Sequence, residues 1–300
     1  MLTVDEIKAK IAEYEEMLAG AEAAESEFVL DIDEDEREKQ HQEDLQRIRG
    51  FRLIDDDFMN AVFDGNIEGT ELLLRIILNK QDIHVKKVTT QKVMKNLLGR
   101  DVYLDIDADD DEGKEYDIEV QRADVGADRK RARYHSSILD AHSLKSGEDF
   151  SDLPETFVIF ITENDVIGKG KPIYQIERMI EEIDEPFNDG EHIIYVNGDD
   201  KDASTELGKL MQDFFCTSAD DMHYKELAEK VRYFKEDEKG VAAMCKVMED
   251  MRNETAKQIK INDIRNVMES FGVSVEKAME SLKIPKAQWT VYLGLLGKRV

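Results

Sequence analysis

Cysteine is scarce: Cys216 and Cys245 are the two in 300 residues, far apart, with no CxxC spacing and no histidine cluster beside either. That excludes a disulfide framework and leaves a zinc site without support, so both read as small buried apolar residues. Long apolar runs are missing too. No stretch approaches the ~20 residues a membrane-spanning helix needs, and the start Met1-Leu2-Thr3-Val4-Asp5-Glu6 lacks the basic and greasy segments of a secretion signal. A soluble, cytoplasmic protein with no membrane partner is expected. Positive charge is the third shortage: 41 Lys and Arg against 68 Asp and Glu give a formal net charge of -27. A field of that sign repels nucleic acid, so any contact with a phosphate backbone must use a local basic patch.

What is present points to one central domain with helical extensions. Ile7, Ile11, Tyr14 and Leu18 recur at helical spacing. From Glu25 to Gln46 charge dominates and too little apolar surface remains to fold alone. Residues 1–50 therefore read as an acidic helical or partly disordered extension. Order is expected from Phe51 onward, with Phe58, Val62 and Phe63 ahead of the apolar block Leu72–Leu78, a buried helix flanked by a turn at Gly65 and Gly69.

After Gly99 the period changes from about 3.6 to two. Val102, Leu104 and Ile106 alternate with Tyr103, Asp105 and Asp107, and a second alternating run, Tyr116–Gln121, follows a polar turn at Gly113. Together they predict a β-hairpin. A helix over Asp128–Leu144 follows, then strands at Phe157–Ile161, Ile173–Ile176 and His192–Val196. Residues 51–200 form the expected central domain. The rest, 201–300, reads as helical, with a long helix over Glu238–Phe271 and short ones starting near Ser274 and at Pro285. No internal repeat is visible.

Strand alternation places Asp105 and Asp107 on one face, and Asp117, Glu119 and Gln121 on one face of the second strand. With the loop centred on Glu112 and Gly113, Asp105 lies across from Glu119 and Asp107 across from Asp117. Opposed like charges destabilise a hairpin and ask for a cation. Magnesium, which takes oxygen ligands, is the natural candidate, with manganese beside it. Held by Asp105 and Glu119, such an ion polarises a phosphodiester and activates water. Two residues past the Glu, where sites of this kind often carry Lys, stands Gln121; its amide orients water and donates to developing phosphorane charge. The other reading is a solvated hairpin whose acids keep the sheet soluble. A calcium loop is excluded, because Asp110 stands where an EF-hand needs Gly and Tyr116 where it needs a bidentate Glu.

Arg129, Lys130, Arg131 and Arg133 fall at the predicted N-terminus of the helix after the hairpin, where the helix dipole disfavours positive charge. A phosphate backbone accounts for them there, with Tyr134 close by; neutralising the acidic hairpin is a compatible second role.

These residues also carry a resemblance. Asp105, Glu119-Val120-Gln121-Arg122, Lys130-Arg131-Ala132-Arg133-Tyr134, the run Leu153–Asp165, Gly168-Lys169-Gly170, Ile173-Tyr174 and the run Asp189–Gly198 closely resemble the bacterial PD-(D/E)xK family transposases, relatives of the recombination-promoting nucleases. The resemblance spans roughly Phe51–Phe271. It implies an α/β, restriction-endonuclease-like mixed sheet flanked by helices, with N-terminal and C-terminal helical extensions, and divalent-metal-dependent cleavage of DNA with a part in recombination or mobile-element biology. The family's metal-binding Asp and Glu match Asp105 and Glu119, and its usual Gln matches Gln121. The Val120 carbonyl completes the expected ligand set, and Glu71 is the candidate for the superfamily's acid on a preceding helix, with Asp57 competing. His135, where relatives have Tyr or Asn, reads as a packing residue. The pair of helices over Ser274–Leu296 lacks a basic recognition face and reads as a packing or homo-oligomerisation element. A nuclease fold retained only to bind DNA or a protein partner is the alternative function, kept open by Gln121 and the negative charge. A metal-binding acidic protein is the third.

Overall fold

The computed structural model describes residues 34–96 and 99–297. The helix expected around Ile7 and Leu18 lies outside them. In chain order the described elements are α1 (Glu34–Gly50), α2 (Asp56–Phe63), α3 (Ile67–Leu78), β1 (Val85–Met94), β2 (Val102–Asp110), β3 (Glu115–Gln121), α4 (Arg129–Ser143), β4 (Thr156–Thr162), β5 (Ile173–Ile176), β6 (Met179–Ile180), β7 (Glu185–Pro186), β8 (Glu191–Asn197), α5 (Glu206–Phe215), α6 (Lys225–Glu236), α7 (Glu238–Phe271), α8 (Val275–Ser281) and α9 (Trp289–Gly297). Among the described residues there are two compact units, 43–244 and 245–297 with 34–42.

The first unit is built on a six-stranded sheet of order β1-β2-β3-β4-β8-β5. β1, β2 and β3 run antiparallel, β3, β4 and β8 run parallel, and β5 returns antiparallel to β8. Every residue of β4 is buried, as its continuous apolar run requires of a parallel central strand. On one face, Ala132, Ile138 and Leu139 of α4 pack with Val158, Phe160 and Tyr195 of the sheet. Phe58, Met59, Val62 and Phe63 of α2 and Leu73, Leu74 and Ile77 of α3 are also buried.

Local signals explain most boundaries. Asp128 caps α4 by accepting the Lys130 N–H, and Thr205 caps α5 by accepting that of Gly208. Gly69, expected in a turn, lies inside α3 and is held there by the capping side chain of Asn66. β1 was not expected from alternation. Its register shifts between Val85 and Lys87 and Gln91 has a φ of 52°, so its buried positions do not follow a clean period of two.

In the other unit, Ile261 and Ile264 of α7 pack with Ala278, Met279, Ile284 and Tyr292. The short helices after Ser274 and Pro285 are therefore a packed hydrophobic cluster. Among the described residues, no helix is long and apolar enough to cross a membrane.

Candidate active site

β3 is held on one edge by antiparallel β2 and on the other by parallel β4, which fixes the register of its acidic residues twice. Asp107 pairs with Asp117 and Ile106 with Ile118, while Asp117 and Glu119 pair with Val158 and Phe160 of β4. One step beyond Ile106 the ladder gives way to side chains. The Asp105 N–H donates to Glu119 Oε1 at 3.1 Å, and the Val120 N–H donates to Asp105 Oδ2 at 3.0 Å. From β1, Gln91 donates through Nε2 to Asp105 Oδ1 at 3.4 Å and to Asn60 Oδ1 at 3.1 Å. Its left-handed backbone is uncommon for a non-glycine residue and lies opposite Asp105.

The carboxylates are deep. Asp117 and Glu119 have no solvent exposure and Asp107 has 3 %. Burial pushes Asp105 up to about 6, with the Val120 N–H working against it and the charge of Asp56 adding to it. Glu119 is raised by burial and by the charges of Asp117 and Asp105, and burial carries Asp117 well above the ordinary carboxylate range. Asp107 is raised by burial despite the ammonium of Lys92, 2.7 Å away.

α4 brings the answering groups. Arg131 reaches Glu119 Oε2 with one terminal nitrogen, donates from the other to the Gly126 carbonyl at 2.9 Å, and donates from Nε to His135 Nε2 at 3.3 Å. Because His135 Nε2 accepts, Nδ1 carries the imidazole proton and donates it to Asp117 Oδ2 at 2.8 Å. Burial lowers the His135 pKa, favouring this neutral form. Asp117 Oδ1 is buried without a hydrogen-bond partner. Buried carboxylates sharing the Arg131 guanidinium, with an orphaned oxygen among them, are a donor set that fits a divalent cation, and Asp105, Glu119 and Asp117 are the oxygen ligands available to hold one.

Gln121 Nε2 lies 3.5 Å from Glu119 Oε2, the same oxygen that Arg131 contacts. A Cβ at Gly126 would fall 2.0 Å from Gln121 Oε1, so the absence of a side chain there makes room for the amide. Glu71 is placed elsewhere: it pairs with Arg75 and accepts the Val85 N–H at 3.0 Å, anchoring the start of β1. The α2 acid whose charge acts on Asp105 is Asp56, not Glu71 or Asp57.

Of the expected phosphate-binding residues, Lys130, Arg131, Arg133 and Tyr134 line one groove of about 1030 Å³, joined by Arg100 and His135. Arg129 is exposed outside that lining. The Tyr134 hydroxyl is spent on structure, donating to the Arg100 carbonyl at 2.7 Å and accepting from Asn96 Nδ2 at 2.9 Å. His135, which the sequence reading took for a packing residue, is brought onto Asp117, and the charge of Asp56 acts on Asp105. The first stands four residues after Arg131 and so on its helix face, which was the signal available.

The family model for PD-(D/E)XK nuclease family transposases matches residues 57–263. The chain belongs to this family. The match begins one residue after Asp56 and takes in every strand of the sheet as well as α4. The mixed sheet flanked by helices agrees with the restriction-endonuclease-like architecture expected of PD-(D/E)XK proteins. No curated protein and no solved structure matches the chain.

Proposed function

We propose that this PD-(D/E)XK protein is a deoxyribonuclease that hydrolyses phosphodiester bonds with Mg2+ or Mn2+ held by Asp105 and Glu119, with the Val120 carbonyl as a further ligand. The observation that carries the reading is the interlock of Asp105 and Glu119 on a buried acidic face next to a groove lined by Arg100, Lys130, Arg131 and Arg133. In a chain of net charge -27, a cationic groove beside the acidic cluster is the local patch a polyanion requires.

The ion would supply Lewis-acid polarisation of the phosphate and activation of water. The chain's own residues supply the rest. The Val120 and Asp105 amides orient the two carboxylates, so neither depends on a rotamer alone. Lys130 and Arg133 seat the backbone of the substrate, and the Gln121 amide orients water at the edge of the acidic face. Family membership supports a role on recombining or mobile DNA.

The test is nicking of supercoiled plasmid by the purified protein with Mg2+ or Mn2+. Activity lost in Asp105→Ala and Glu119→Ala, with the fold intact by circular dichroism, supports the reading; unchanged activity in both sinks it. Gln121 in the lysine position favours a second reading, a fold that binds DNA without cutting it. That outcome would show as salt-sensitive binding dependent on Lys130 and Arg133 with no cleavage under any divalent metal.

A further inference from the structure

We infer that the acidic cluster holds a first-row transition-metal dication through a nitrogen ligand, with Asp117, Glu119 and His135 as its donors. This deepens the metal-dependent reading and rests on its claim that the buried carboxylates bind a dication, but not on cleavage of DNA.

The three side chains come from two elements, β3 and α4, and each offers a donor atom within 4.8 Å of the others. His135 Nδ1 lies 2.8 Å from Asp117 Oδ2 and 3.8 Å from Glu119 Oε1. Donors held about 2.1 Å from one ion stand about 3–4 Å from one another, so an ion fits among these atoms with small adjustments. A closed hydrogen-bond network would leave nothing over, yet Asp117 Oδ1 is fully buried and has no hydrogen-bond partner. All three residues are buried, which shuts that oxygen off from bulk solvent, and a bound cation would satisfy it.

The donor set also chooses the metal. Carboxylates alone suit magnesium, whereas an imidazole nitrogen shifts preference toward iron, cobalt, nickel or zinc, with manganese the weakest-binding of the first-row dications. Loading has a structural consequence. A metal on Nδ1 replaces the proton now donated to Asp117, and the imidazole proton must pass to Nε2. Nε2 could then no longer accept from Arg131 Nε, so the guanidinium would have to leave His135. It already lines the groove of about 1030 Å³, and that is where it would go.

The experiment uses Mn2+ alone, added to the full-length protein, with pulsed electron paramagnetic resonance reading nitrogen coupling to the metal. The chain has six histidines, so a sample grown with 15N-histidine reports imidazole coordination without altering the fold, and His135→Gln assigns it. Expected is a 14N modulation that becomes 15N in the labelled protein and vanishes in His135→Gln, whose Mn2+ affinity by calorimetry falls at least about tenfold while Mg2+ affinity changes less. Bound Mn2+ without nitrogen modulation overturns the inference and leaves the carboxylate-only reading standing. Modulation that persists in His135→Gln overturns it as well. No Mn2+ binding at all overturns both.

Discussion

Arg131 holds Glu119 by a charge-assisted contact with a carboxylate that has no solvent exposure. The guanidinium occupies the side of Glu119 that Gln121 also approaches, so α4 delivers the positive charge that the strand itself, with Gln at that position, does not. Removing it leaves a buried carboxylate uncompensated. Arg131→Ala is expected to cost about 1–3 kcal/mol of metal-free stability, the lower end being favoured because the Arg131 side chain is itself 36 % exposed. Added Mn2+ should restore part of the loss, since one cation substitutes for another. Thermal unfolding with and without metal measures both; a variant as stable as the parent without metal would refute the compensating role.

Asp117→Asn tests the reverse trade. Burial holds the Asp117 carboxyl well above the ordinary carboxylate range, so the metal-free fold carries it neutral and an amide of the same shape replaces it at little cost, while the charge a metal needs is lost. The metal-free melting temperature is expected to change by no more than a few degrees, on the order of 1 kcal/mol, while metal affinity falls. A large drop in melting temperature would mean that Asp117 is ionised and satisfied in the metal-free fold.

Stability should depend on pH with a definite sign. The folded-state pKa of Asp105 is raised from 3.8 to about 6, and those of Glu119 and Asp117 are raised as well. The folded state therefore binds protons more tightly than the unfolded chain. The contribution from Asp105 is fully present below about 4, is lost as pH rises through about 6, and the loss continues above that as Glu119 and Asp117 ionise. Metal binding runs the other way, because ligands must shed protons. The gap in melting temperature between Mn2+-loaded and metal-free protein should therefore widen from pH 5 to pH 8. A gap independent of pH would detach the metal from these carboxylates.

Gly126→Ala probes the amide of Gln121. The added methyl falls on Gln121 Oε1, a movable end, so the fold should survive while the amide is driven off Glu119. Cleavage is expected to drop at least about tenfold with the far-ultraviolet circular dichroism unchanged. Full activity would show that the position of Gln121 does not matter.

The groove is tested by salt. Lys130→Ala with Arg133→Ala should weaken binding to duplex DNA and reduce the slope of log affinity against log salt by about 2, one for each phosphate contact removed. Fluorescence anisotropy at several salt concentrations gives the slope; an unchanged slope would place the DNA on another face.

Much of this fold is written locally. Ile173–Ile176 and Glu238–Phe271 have the bounds that the residue pattern predicts, and the Asp107 and Asp117 pairing follows from parity and loop length. β1 escaped because a register shift and a left-handed Gln91 break its alternation. The site was legible where it lies along one hairpin and illegible where tertiary packing assembles it. The charge of Asp56 acts on Asp105 from α2, and His135 was read as a packing residue because nothing in its neighbours along the chain shows that α4 will lay it on Asp117.

The doubly held register of β3 bears on how such a protein can vary. One residue added or removed between Glu115 and Asp117 would turn Asp117 and Glu119 to the opposite face, and β2 and β4 could not both slip to follow. The turn at 111–114, with Gly113 at a φ of 85°, can absorb a change of length; the strand cannot. Divergence at this site therefore proceeds by exchanging side chains on a strand of frozen length, and a glutamine in place of a lysine is a change of that kind.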